Sequence, residues 1–101
     1  MPLTVRQFDL GIDQEMDAWM RQVYELLIRN QHLAYSSEEL SKEVLGASAE
    51  KDDREKFVLA LDVLFQIQAV EKRWVNDTGY YAFSQAFNTN TWERDLKSHP
   101  V

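Results

Sequence analysis

The chain has 101 residues, enough for one domain with one core and little else. It has no cysteine, which excludes disulfides, thiolate metal sites and cysteine nucleophiles, and its 3 glycines and 2 prolines argue against long low-complexity stretches. Eleven basic residues stand against seventeen acidic ones, a net charge of −6, which argues against a polyanion-binding protein held on by bulk charge.

Residues 1–10 alternate Leu3 and Val5, then Phe8 and Leu10, with polar neighbours, which reads as a short strand or an arm that packs on the core. The opening Met-Pro-Leu-Thr-Val-Arg-Gln-Phe has no apolar central region of a signal peptide, and no run approaches about 18 apolar residues. The expectation is a cytoplasmic setting with no membrane partner, so the sequon at Asn76-Asp77-Thr78 carries almost no weight. Gly11 interrupts, and Asp13 is placed to cap a helix over about 13–30. Met16, Trp19, Met20, Val23 and Leu27 form one apolar face at spacings of three and four.

Leu33-Ala34-Tyr35 reads as a tiny strand. Ser36 with Glu39 forms a capping box, with Leu40, Val44 and Leu45 as buried positions and Gly46 as the left-handed stop. Residues 47–51 form a linker, and Asp52 with Glu55 repeats the capping pattern ahead of a helix over about 52–68. Phe57, Leu61, Leu64, Phe65 and Gln68 line one face of that helix; Leu59 and Val63, with Gln66, line another. Residues 69–84 form a β-hairpin whose turn is Asn76-Asp77-Thr78-Gly79, with Gly79 able to take positive φ. In the tail, Asn90 can cap a short helix that pairs Trp92 with Leu96.

The order is helix, tiny strand, helix, helix, strand, turn, strand. At these lengths it resembles the winged-helix superfamily over Val23 to Ser84, with Ala34-Tyr35-Ser36-Ser37-Glu38-Glu39-Leu40 as the entry to the second helix and Ala69-Val70-Glu71 leading into the first wing strand. The fold expected is a single α+β winged-helix domain of three helices and a C-terminal hairpin wing. Residues 1–12 are its arm, 13–84 its body and 85–101 a tail with a possible short helix. Its expected core is Met20, Val23, Leu27, Leu40, Val44, Phe57, Leu61, Leu64, Phe65, Trp74, Tyr81 and Phe83. In DNA-binding members the third helix enters the major groove and the wing touches backbone or minor groove. The resemblance therefore makes Lys51, Arg54, Lys56, Lys72 and Arg73 the nucleic-acid candidates. Residues 35–70 carry four cations against eight acids, however, so the segment that would meet DNA is strongly acidic.

Trp74, Tyr80, Tyr81 and Phe83 fit core partners across a hairpin better than a stacking platform for single strands, which needs a basic groove. Met16, Trp19 and Met20 suit either the core or a dimer contact. Leu59, Val63, Gln66 and the tail's Trp92 are the candidates for docking another protein or a second copy. His32 and His99 have no ligand-like neighbours, and the pairs Glu38-Glu39 and Asp52-Asp53 fall at helix starts, where the dipole accounts for them. There is no glycine-rich phosphate loop, nucleophile elbow or zinc-protease motif, so no catalytic, cofactor or metal residue is nominated. The function expected is a non-enzymatic protein-interaction or regulatory module, within a larger complex. The alternatives are a dimeric DNA-binding transcription regulator and, as a minor one, an acidic inhibitor that imitates nucleic acid.

Overall fold

The computed structural model describes residues 2–84, so the tail reading, with its Asn90 cap, Trp92 and Leu96, lies outside the described residues. Four helices and three antiparallel strands make an α+β fold. The extra helix is α1, Val5–Leu10, where the alternation of Leu3, Val5, Phe8 and Leu10 reads as a short strand or an arm packed on the core. Local hydrogen bonding overrides that alternation. Thr4 Oγ1 accepts from the N–H of Gln7 and the N–H of Thr4 donates to Gln7 Oε1, both at 3.0 Å, a capping box that starts a helix. Gly11, at φ 73°, ends it, its N–H donating to the Phe8 carbonyl at 3.1 Å.

Helix α2, Gln14–Arg29, begins as the sequence suggests: Asp13 Oδ1 accepts from the N–H of Met16 at 2.8 Å. It buries Met16, Trp19, Met20, Val23, Tyr24 and Leu27. Strand β1, Ala34–Ser36, runs straight into α3, Ser37–Val44, through the expected Ser36–Glu39 capping box. Gly46, at φ 99°, closes α3 by donating to the carbonyls of Ser41 and Lys42.

Helix α4, Lys51–Gln66, departs from expectation at both ends. It starts one residue early, with Glu50 at the N-cap, so Asp52 lies inside the first turn, and the Asp52–Glu55 box does not form. No side chain caps this end; Asp52 and Asp53 are left to interact with the positive pole of the helix. At the far end Gln68 takes φ 63°, the left-handed role usually given to glycine, and the Ala69 N–H returns to the Leu64 carbonyl at 3.0 Å. That reversal puts Gln68 outside the helix and in water.

Strands β2, Val70–Val75, and β3, Thr78–Phe83, form the hairpin, and β3 also pairs with β1, giving the sheet order β1-β3-β2. Val75 faces Thr78, so the connection is only two residues, Asn76 at φ 50° and Asp77 at φ 66°. Two positive φ values in a two-residue loop match the right-handed strand twist. Gly79 is therefore not the turn residue. It sits in β3 opposite Trp74, where an added Cβ would lie 3.1 Å from Lys72 Cε and 3.6 Å from the Trp74 ring.

One core lies between α2, α3, α4 and the sheet. Met20, Val23, Leu27, Leu40, Phe57, Leu61, Leu64 and Tyr81 are buried as expected, and Val44 and Phe83 are half-buried against them. Phe65 and Trp74 leave the expected core: Phe65 is 46% exposed and Trp74 is 68% exposed. Phe65 is about 100° round the helix from Leu64. Trp74 belongs to the core-facing side of β2, but four residues beyond the buried Val70 and next to the turn.

The turn yields a test. Holding an L-residue in the left-handed region costs roughly 1 kcal/mol, which glycine avoids while losing part of the gain to its own flexibility. Asp77→Gly should therefore raise stability by about 0.5 kcal/mol, read as a higher urea midpoint at unchanged slope. A lower midpoint would show that Asp77 makes a contact worth more than the strain.

Candidate functional site

Two clefts open beside α4 and share Ser37, Glu38 and Val58 in their walls, so they lie side by side along one groove. The first, about 520 Å³, lies between α3 and α4 and is lined also by Ser41, Lys42, Gly46, Lys51, Arg54 and Glu55. The second, about 410 Å³, lies between the start of α3, Val58 and the hairpin, where Lys72, Trp74, Asp77, Gly79 and Tyr81 complete it. Each is of the size that takes a small molecule or a few side chains.

The fold builds this groove from local rules. Ser36 fixes where α3 begins and so aims Ser37 and Glu38 at the hairpin. In α4, Lys51, Arg54, Glu55 and Val58 recur at spacings of three and four and so face the same side. In β2, Lys72 and Trp74 are two residues apart on one face. The Lys72 ammonium lies 4.9 Å from the centre of the Trp74 ring and 5.3 Å from that of Tyr81, so both rings attract it electrostatically. Gly79 leaves the space the Lys72 stem and the indole occupy.

Of the five nucleic-acid candidates, the fold gathers Lys51, Arg54 and Lys72 at this groove and adds Lys42, which the sequence reading passed over. Lys42 was findable: it follows Glu38 by four residues and Ser41 by one on a short amphipathic helix. Only the packing of α3 against α4, however, shows that it lines the same cleft as Lys51 and Arg54. Arg73 alternates to the opposite face of the hairpin, where it bonds the Lys72 carbonyl at 3.0 Å. Lys56 is engaged elsewhere. Its ammonium lies 2.6 Å from Asp13 Oδ2, 2.9 Å from Glu15 Oε1 and 5.6 Å from the centre of the Trp19 ring. It ties the start of α2 to α4.

Of the docking candidates, Leu59 is 58% exposed and Gln66 is exposed, while Val63 is half-buried against the core. Trp92 lies outside the described residues. Leu59 is about 100° round the helix from Val58 and takes no part in either cleft. Among the described residues no group of three or more His, Asp or Glu is placed to hold a metal ion, and no helix is long and apolar enough to cross a membrane.

The Lys56 bridge gives a prediction with a definite sign. The hydrogen bond from Lys56, then that from the Met16 N–H, holds the Asp13 carboxyl below its ordinary value. Bonds to Asp13 and then Glu15 hold Lys56 above its own. A depressed carboxyl stabilises the fold above its unfolded-state pKa of about 4, and the gain is lost as pH falls through the lower folded value. A raised ammonium stabilises below about pH 10.4, and that gain is lost as pH rises through its folded value. Lys56→Met should therefore cost roughly 0.5–1 kcal/mol near neutrality, solvent screening of these partly exposed groups keeping it small. The difference in urea midpoint from the unsubstituted chain should shrink at about pH 2.5. A difference that does not change with acid would remove the bridge as its cause.

Against protein-family models, curated proteins and solved structures, the chain finds no match.

Proposed function

We propose that this chain is a non-enzymatic winged-helix domain acting as a protein-interaction or regulatory module. The fold part of the reading is supported by the order α2, β1, α3, α4, β2, β3 and the sheet order β1-β3-β2. In it α3 and α4 are the second and third helices, the hairpin is the wing and α1 is an addition before them. The observation that carries the functional part is Trp74. It is a large aromatic, 68% exposed, fixed on the hairpin beside the exposed Val58 of α4. Tryptophan is enriched among the few residues that carry most of an interface's binding energy, and a rigid strand lowers the entropy of presenting it. Leu59 is a second exposed apolar residue on the same helix.

The test uses the folded chain as bait together with Trp74→Ser and Leu59→Glu, all three checked by circular dichroism. The unsubstituted chain should either dimerise by light scattering or recover a partner at near-stoichiometric yield, and at least one variant should lose this by about tenfold or more. A chain that stays monomeric and recovers nothing speaks against the reading.

A second reading, a dimeric DNA-binding regulator, is favoured by one observation: Lys42, Lys51, Arg54 and Lys72 gather on one groove, while Asp52 and Asp53 take no part in its walls. It requires that a 20-base-pair duplex bind at low salt and that Arg54→Glu with Lys72→Glu flatten the salt dependence. Binding that survives this double reversal would exclude the groove as the DNA site.

A further inference from the structure

Charge is distributed unevenly over the surface. Residues 2–84 hold nine Lys and Arg and fifteen Asp and Glu. Four of the cations, Lys42, Lys51, Arg54 and Lys72, line the two adjoining clefts, with only three of the acids, Glu38, Glu55 and Asp77. Over the rest of the described chain five cations face twelve acids. The groove thus carries more positive than negative charge, while the rest of the described chain taken together is strongly acidic. Lys51 lies 3.9 Å from Glu55, whereas Lys42 and Arg54 have no ion-pair partner among the described residues.

The same groove has apolar walls. Val58 is common to both clefts and Trp74 stands at the rim of the second, with its ring face toward the Lys72 ammonium. Ser41, 6% exposed, lines the first cleft, and its Oγ has no hydrogen-bond partner among the described residues. A buried hydroxyl left unpaired is costly, and an entering carboxylate would supply the missing acceptor.

The geometry points to an acidic amphipathic peptide segment of a partner protein as the occupant of this groove. An aromatic or aliphatic side chain would lie against Val58 and Trp74, and flanking carboxylates would meet Lys42, Arg54 and Lys72. The inference rests on the interaction-module reading and names its partner's chemistry. A peptide suits the groove better than duplex DNA for a reason of spacing. A duplex presents a charge at every phosphate, so it cannot avoid Glu38, Glu55 and Asp77. A peptide can place one or two carboxylates between them.

The experiment pans a phage-displayed library of random 12-residue peptides on the immobilised chain and measures the most enriched sequence as a synthetic peptide by fluorescence anisotropy. Enriched sequences should combine Asp or Glu with Phe, Trp, Leu or Ile. Arg54→Glu and Lys72→Glu should each weaken the synthetic peptide by about tenfold or more, with Arg54→Gln as a milder variant should the reversal disturb folding. Arg73→Glu, on the opposite face of the same strand, should leave affinity unchanged. Neutral or basic sequences, or binding that survives both reversals, would overturn the groove assignment and leave the module reading standing. A library that yields no enrichment overturns the peptide assignment; the module reading falls only if the chain also stays monomeric and recovers no partner. A 20-base-pair duplex that binds the unsubstituted chain, displaces the peptide and loses affinity with Arg54→Glu would overturn the peptide in favour of DNA.

Discussion

The buried face of α4 is the constraint on which the other elements depend. Phe57, Ala60, Leu61 and Leu64 recur at spacings of three, one and three and are almost wholly shielded from water. Burying side chains of this size contributes roughly 1.5–3 kcal/mol each for the larger three. This outweighs the modest helix propensity of a segment that begins with two aspartates and no side-chain cap. The face shares one core cluster with Met20, Val23 and Leu27 of α2 and with Val70 and Tyr81 of the sheet, and α4 packs against both α2 and β2. A hairpin of two strands is marginal in water by itself. Here it is held because Val70 begins it directly after the left-handed reversal at Gln68 and Tyr81 returns to the same core. The angle between hairpin and α4, and with it the groove, follows from that single packed layer.

What could be read from the sequence was what depends on neighbours along the chain. Asp13 and Ser36 cap the helices they precede, the periodic apolar residues of α2 are the buried ones, and the hairpin pairs over the expected stretch. The failures came where two local signals compete. Leu3, Val5, Phe8 and Leu10 alternate like a strand, but the reciprocal bonds of Thr4 and Gln7 decide for a helix. The Asp52–Glu55 spacing matches a capping box as well as Ser36–Glu39 does. Glu50 nevertheless takes the cap position, and two residues of shift turn the expected cap Asp52 into an ordinary first-turn acid. In the hairpin, Gly79 drew the turn assignment because glycine takes positive φ without strain, yet Asn76 and Asp77 take it. What Gly79 supplies instead is room: an added Cβ would crowd the Lys72 stem, while the indole opposite would lie at ordinary contact distance.

The site was less legible than the fold, because proximity in space has no signal in one sequence. Arg73 and Lys72 are neighbours in the chain and lie on opposite faces of a strand; Lys42 and Arg54 are twelve residues apart and line one cleft. Lys56 lies two residues from Arg54 and is bound to the far side of the helix by carboxylates more than forty residues earlier. Exposure was equally hidden. Trp74 has the same alternation as the buried Val70, and its place at the turn end of the strand, which alternation does not report, leaves it standing in water.

A helix spreads successive residues about 100° apart, so a charge count along it averages over faces that a partner meets separately. Over 35–70 that count is strongly acidic, yet Asp52 and Asp53 take no part in the walls that Lys51 and Arg54 share with Lys42. The hairpin sharpens this separation. Lys72 lies against two aromatic rings on the groove side, with Glu71 and Arg73 on the other. A cation held against ring faces loses part of its hydration and is fixed in position, so its field acts on the groove from a defined point. An acidic chain can in this way present a local positive surface beside exposed apolar groups, and only the topology that sets α3, α4 and β2 around one groove makes it visible.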